Sequence, residues 1–385
     1  MKPHLLSLVV SSAALAQPPV HLLRTPDSGL QPQLAIGPHG TRHLLYYKGD
    51  PRNGDLFYSS CSKDTTEFAP GIRVNSIDGA ACAFGNMRGG QIALAPDGRI
   101  HIAWNGSEAA AEHLKDSMPG VNRHGGEPML YTRSNADRNA FEPERDLMSR
   151  TCALDGGGSI TIANDGRISV VWHASLPETE SQGELGRQIF VASSTDRGVT
   201  FSTETPIPWP SEAPGMCGCC ALKAFADKDN FYVIFRAAGE KTHRDSHLLT
   251  STDRGQTFTD KVLSKWQLAA CPMTTSSMIS TPGGPILAWE SEKNVYWSRL
   301  GGDPVAAPDR KAERKFPAIA VNTKEEVLLA WCEGMTFGQS GSLHWQVFGK
   351  DGKPIEGAAG SQKGVPAWSL ITAFTESDGS FAIIY

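Results

Sequence analysis

Three cysteines within four residues, Cys217-Gly218-Cys219-Cys220, form the densest reactive group in the chain, and Cys271 follows in LAACPM. Thiolates are soft ligands that select Cu(I) or Zn(II). Cys217, Cys219, Cys220 and Cys271, joined by His173 or by Met216, Met273 or Met335, therefore make a candidate metal site, with copper in a redox or metal-handling role. C-x-C-C is not a standard zinc spacing. The eight cysteines also suit disulfides in an oxidising compartment, the preferred reading, and a redox-active dithiol is a third.

A second chemistry would come from charge. Arg88 in NMRGG, Arg236 in VIFRAAGE and Arg314 in ERKFPA stand near predicted inner-strand ends, where guanidinium groups could grip a carboxylate or another anion. Asp78, Asp155, Glu240, Asp245, Glu290 and Glu333 fall near the same end, and Glu290 and Glu333 follow Trp289 and Trp331 at matching places. Arg88, Arg236 and Glu290 are the candidate ligand-binding residues. His173, after Trp172, is a candidate ligand or base, and His243 and His247 flank Arg244-Asp245.

What must position these side chains is a repeat. An apolar segment, a turn rich in Gly, Asp or Asn and a second apolar segment ending in an aromatic recur seven times, with endpoints at Tyr47, Trp104, Trp172, Phe235, Trp289, Trp331 and Tyr385. QIALAPDGRIHIAW and SITIANDGRISVVW read as two-stranded hairpins closed by Asp-Gly turns. Third strands follow, among them MLYTRS, QIFVASS and HLLTST, then outer edges such as GIRVNS, TPIPWP and KVLSKW. Units of about 45 to 65 residues match propeller blades. The fold class is all-β, a β-propeller of seven four-stranded blades, with six blades as the alternative. VHLLRT, from Val20 to Thr25, would add an outer strand to the last unit and close the ring.

SSTDRGVTF from Ser193 and TSTDRGQTF from Thr250 both lie where a third strand must turn into a fourth. Asp can bond the amides of such a turn, Gly admits positive φ and Phe can tuck beneath it. SxDxGxTF resembles the Asp-box, or BNR repeat, of sialidases and related β-propellers, here as Ser194, Asp196, Gly198, Thr200 and Phe201, then Ser251, Asp253, Gly255, Thr257 and Phe258. Degenerate copies lie at Ser62 to Phe68 and Ser134 to Phe141. The CGCC string, with Trp266 and Cys271-Pro272, is similar to secreted bacterial sialidase-like proteins. The resemblance implies a sialidase-superfamily propeller that binds or hydrolyses a glycan at its central pocket. Sialidases also carry an F/Y-R-I-P arginine motif; none occurs here, and GLQPQLAIGP lacks arginine, so no catalytic residue carries over.

In a propeller the connections from fourth to first strand and from second to third emerge on one face. Cys82, Cys152, Cys217, Cys219, Cys220, Cys271 and Cys332 map to that face, and Cys61 to a third strand. A disulfide-stapled binding scaffold is thus a further reading beside the glycan and copper ones.

The first residues, MKPHLLSLVVSSAALAQ, have the charged, apolar and small-residue parts of a secretory signal peptide over residues 1–16, leaving 17–385 as one domain that is secreted or periplasmic. No later stretch has the length and apolarity of a membrane span. A net charge of −5 without Lys/Arg runs gives no footprint for nucleic acid.

Overall fold

The computed structural model describes residues 20–117, 126–209, 215–227, 229–239 and 242–385, so the signal-peptide segment and Glu240 lie outside the described residues. Seven antiparallel units follow one another along the chain. Each opens on an inner hairpin, as in Gln91–Leu94 with Ile100–Asn105 and Ser159–Ile162 with Ile168–Ser175. A third strand and a short fourth complete the blade, as Arg187–Ser194 and Thr205–Pro206 do in blade three.

The seven first strands touch in chain order, and the last, Thr372–Thr375, returns to the first, Leu30–Ile36. Only a closed ring gives that pattern, so the molecule is a seven-bladed β-propeller. Six sheets run through four strands along their path. Blade four adds Gly215–Met216 on Ala237 and Ala238. Blade seven is completed by the N-terminal strand Val20–Leu23, which pairs in parallel with Phe381–Ile384. Thr25 and Tyr385 exchange further backbone bonds with this seam, and the Arg24 guanidinium lies 4.0 Å over the Tyr385 ring.

The repeated aromatics are the packing unit between blades. Trp104, Trp172 and Trp289 are fully buried. Their indole N–H groups reach back to the preceding connection or blade, to the Ala80 carbonyl at 3.1 Å, the Thr151 hydroxyl at 3.3 Å and the Ser264 hydroxyl at 2.8 Å. One side chain thus fills the inter-blade core and satisfies its own donor, which a buried indole requires.

Both Asp-boxes fold alike at the third-to-fourth turn. Asp196 accepts from Thr200 N–H at 2.9 Å, from the Thr200 hydroxyl at 2.6 Å and from the Ser194 hydroxyl at 2.7 Å, while Gly198 N–H donates to Ser194 Oγ at 2.8 Å. Asp253, Thr257, Ser251 and Gly255 repeat the set. Phe201 packs edge-on against Tyr131, and Phe258 lies tilted against Phe231. These bonds hold both Asp carboxyls below their usual range, Asp253 at about 2. The degenerate copies occupy the same turn in blades one and two, where Asn135 accepts from the Asn139 amide.

Among the described residues no helix is long and apolar enough to cross a membrane.

Candidate functional site

The central channel is lined by first-strand residues including Gln31, Gln91, Lys223 and Ala318 and holds about 60 Å³, room for about two waters. Lys223 donates to Gln91 there at 2.7 Å, and burial lowers its pKa to about 8. That space is too small for a ligand the size of a sugar ring.

Two long second-to-third connections build that mouth. In blade two the connection carries the helix Glu108–Ser117; in blade three it carries the 3-10 segment Glu180–Gly186. Beside them opens a cavity of about 710 Å³ lined by Arg88, Lys115, Glu127, Asp155 and Arg187 among others, within the usual range for a small-molecule site. Arg88 is clamped across two connections: Nε donates to the Asp155 carbonyl at 2.7 Å, Nη1 to the Phe84 carbonyl at 2.8 Å, and Nη2 pairs with the Asp155 carboxylate. Arg187 forms no ion pair with a described carboxylate; its guanidinium faces His173 Nδ1 at 3.4 Å. Burial, then the neighbouring Asp155 and Glu108, raise the Glu127 pKa against the opposing pull of Arg88.

The CGCC loop packs behind two of the lining residues, Arg187 and Asp155. A Cβ on Gly218 would stand 3.1 Å from both Arg187 Nε and Asp155 Oδ2, a tight approach that those side chains would have to yield to by a few tenths of an ångström. The loop is pinned on every side. Gly156 N–H donates to the Gly218 carbonyl at 2.7 Å, Cys217 N–H to the Arg236 carbonyl at 3.0 Å, and Gly218 N–H to Glu184 at 3.2 Å. The glycines of DGGGS permit this contact, since a Cβ on Gly156 would overlap the Cys220 carbonyl.

Cys217 Sγ lies 3.5 Å from both Cys219 Sγ and Cys220 Sγ, and all three sulfurs fall within 4.8 Å of one another. All eight cysteines are free, so the stapling expected from their even count is replaced by backbone bonds between connections. Hydrogen bonding with Cys217 and Cys220 holds Cys219 as a thiol. At Cys220 burial opposes ionisation, and the bonds from Cys217 and Cys219, with the Arg236 charge, overcome it; its pKa lies well below the ordinary value.

Several expected site residues have other work. Cys271 is exposed and stands outside the three-sulfur group. It lines a second cavity of about 210 Å³ with Trp266, Lys315 and Phe337. His173 is buried, and its Nε2–H meets the Cys220 carbonyl at 2.8 Å. That bond fixes the tautomer, leaves Nδ1 toward Arg187, and keeps both nitrogens from the sulfurs. Burial and then the Arg187 charge lower the His173 pKa to about 4.

Arg236 is buried too. It donates to Thr274 Oγ1 at 3.0 Å and to the Arg244 and Glu290 carbonyls, and lies over Trp266. Glu290 has no exposed surface, and its Oε1 accepts from Lys315 at 3.2 Å. Arg236 and Glu290 therefore tie blades together and offer a ligand no surface. Arg314 is likewise consumed by Glu333, Asn294 and two carbonyls, and His247 by Asp260. Of the three expected ligand-binding residues only Arg88 lines the mouth.

Glu127, Arg187 and Glu184 carry the site without having been singled out. The usable signal was length, because the second-to-third connections of blades two and three are long enough to form walls.

No protein-family profile matches the chain, nor does any curated protein sequence. Solved structures match by shape. An ulvan lyase of polysaccharide lyase family 25 is 13% identical, with 90% of this chain and 87% of that one covered and a TM-score of 0.55. The ring shares its fold with glycan-active propellers. An α-L-arabinanase of Penicillium chrysogenum solved with arabinobiose is 11% identical over 85% of this chain and 95% of its own, with a TM-score of 0.51. The Trypanosoma rangeli sialidase is 8% identical over 83% of this propeller and 54% of its own chain, with a TM-score of 0.50.

Proposed function

We propose that this is a secreted or periplasmic propeller that binds an anionic carbohydrate in the mouth cavity between blades two and three. The observation that carries the reading is Arg187, a cation without a described carboxylate partner, lining the same cavity as Glu127, whose raised pKa favours a protonated carboxyl. Guanidinium grips a carboxylate through two parallel bonds, and a protonated carboxyl donates to a ligand oxygen as a general acid must. The glycan-active enzymes sharing this fold support carbohydrate as the ligand class.

The test is a binding screen of purified protein against uronate-bearing, sialylated and sulfated oligosaccharides, with neutral arabino-oligosaccharides as controls. Acidic sugars should bind, and Arg187→Ala should abolish binding with the melting temperature kept. Preference for neutral sugars, or binding indifferent to Arg187→Ala, would discard the reading.

A further inference from the structure

We propose that Cys217, Cys219 and Cys220 form a three-coordinate thiolate site for a single Cu(I) ion beside the mouth cavity. The triangle of sulfurs has two edges of 3.5 Å and a third no longer than 4.8 Å. A metal held by thiolate bonds of about 2.3 Å needs edges of about 3.8 to 4.0 Å in tetrahedral or trigonal geometry. The two short edges need to lengthen by about 0.3 to 0.5 Å, and the third to shorten by at most about 1 Å, for the triangle to reach that size.

The number of ligands selects the ion. A structural zinc site is closed by a fourth protein ligand, and among the described residues no further His, Cys, Asp or Glu atom joins the three sulfurs. The near candidates are committed elsewhere: His173 to the Cys220 carbonyl, and Glu184 to Gly218 N–H and to Arg244 at 2.9 Å. An all-sulfur, three-ligand set suits soft, monovalent Cu(I).

The surroundings suit the charge of the loaded site. Binding forms three Cu–S bonds, breaks whichever S–H bonds the three sulfurs still hold, leaves copper as Cu(I) and releases those protons to solvent. The resulting anionic centre faces the Arg236 guanidinium and the Thr274 N–H, which donates to Cys220 Sγ at 3.4 Å. Cys217 and Cys220 are buried and Cys219 is half-buried, which leaves one side for the ion to enter. Because Gly156, Arg236, Glu184 and Thr274 fix the loop's backbone, the ligands are held near their places before the metal arrives.

The experiment is an anaerobic titration of the reduced full chain with Cu(I) against a chromogenic Cu(I) chelator, followed by X-ray absorption of the loaded protein. One Cu(I) per chain in an all-sulfur shell is expected. Cys219→Ser, at the half-buried position least needed for packing, should weaken retention by about 100-fold or more, whereas Cys271→Ser should leave it unchanged. Cys220→Ala is the second variant, read only if its circular dichroism and melting temperature show a closed ring.

The proposal is overturned if reduced wild type yields its copper to the chelator, or if Cys219→Ser retains it equally. Zn(II) held against a Cu(I) challenge would overturn it as well. Since the titration contains no sugar, failure of carbohydrate binding does not bear on its outcome.

Discussion

Lys315 Nζ stands 3.2 Å from Glu290 Oε1, while Glu290 Oε2 is buried without a hydrogen-bond partner. Burial drives the Glu290 pKa up to about 7 against the pull of Lys315 and Arg236. A carboxyl raised in the folded state binds its proton more tightly there than when unfolded. Its stabilising contribution is therefore complete below about pH 4.5 and is lost as pH rises to about 7, on the order of 3 kcal/mol. Denaturant unfolding of wild type and Glu290→Gln at pH 5 and pH 8 should show a smaller difference between the two pH values in the variant. Equal differences would mean that Glu290 does not titrate in this window.

Gly198 and Gly255 hold the same place in two Asp-boxes, with φ of +76° and +88°, yet their surroundings differ. A Cβ at Gly255 would meet Phe231 Cδ1 at 3.0 Å, whereas one at Gly198 would overlap the hydroxyl of Tyr131, which is buried and bonded to His101. Gly255→Ala should cost about 1 kcal/mol from backbone strain. Gly198→Ala should cost about 3 kcal/mol, because overpacking adds to the same strain. Equal losses of denaturant midpoint would place the whole cost in the backbone.

Glu204, immediately before the fourth strand of blade three, takes Ser149 N–H at 2.8 Å, Arg150 N–H at 2.6 Å and Thr151 N–H at 3.0 Å. It braces the connection arriving from blade two. Burial opposes its ionisation, the donors override it, and its pKa falls below the ordinary value. Its contribution is present above the usual glutamate range and disappears as acid titrates through the lowered value. Glu204→Ala, which strips a charged acceptor from three amides, should cost about 3 kcal/mol at neutral pH and less near pH 3. A deficit constant with pH would show that the charge is irrelevant.

Glu127 and Arg187 give the mouth its own pH response. Protonating Glu127, which its raised pKa favours as the pH falls, removes a negative charge facing an anionic ligand. Calorimetric affinity for an acidic oligosaccharide should rise as pH falls from 7 to 5, and Glu127→Gln should flatten that slope at the tighter value. A slope unchanged in the variant would assign it to the ligand.

The ring and its turns were legible because they are local. Asp-Gly hairpins, aromatic endpoints and SxDxGxTF each act within a few residues, and VHLLRT was recognisable as the missing outer strand. The parallel direction of that strand was not, because it depends on where the chain re-enters blade seven. Arg236 and Glu290 looked exposed along the sequence, at strand ends beside polar residues. Packing against Trp266 and Thr274 from a connection and Lys315 from the first strand of blade six buries them, and no single blade encodes that contact. The spacing Phe201-x-x-Glu204, repeated at Phe141-x-x-Glu144, does encode a brace, for Glu144 takes the Ser76 and Ile77 amides in the same way. It lies in a polar stretch that reads as solvent-facing edge.

The seam between Val20–Leu23 and Phe381–Ile384 has a temporal meaning. Because one half of the clasp is made long before the other, the circle cannot shut until residues 381–384 have emerged. Six finished blades must wait beforehand as an open crescent with two bare flanks. A late step in refolding is the expected outcome of where this protein keeps its latch.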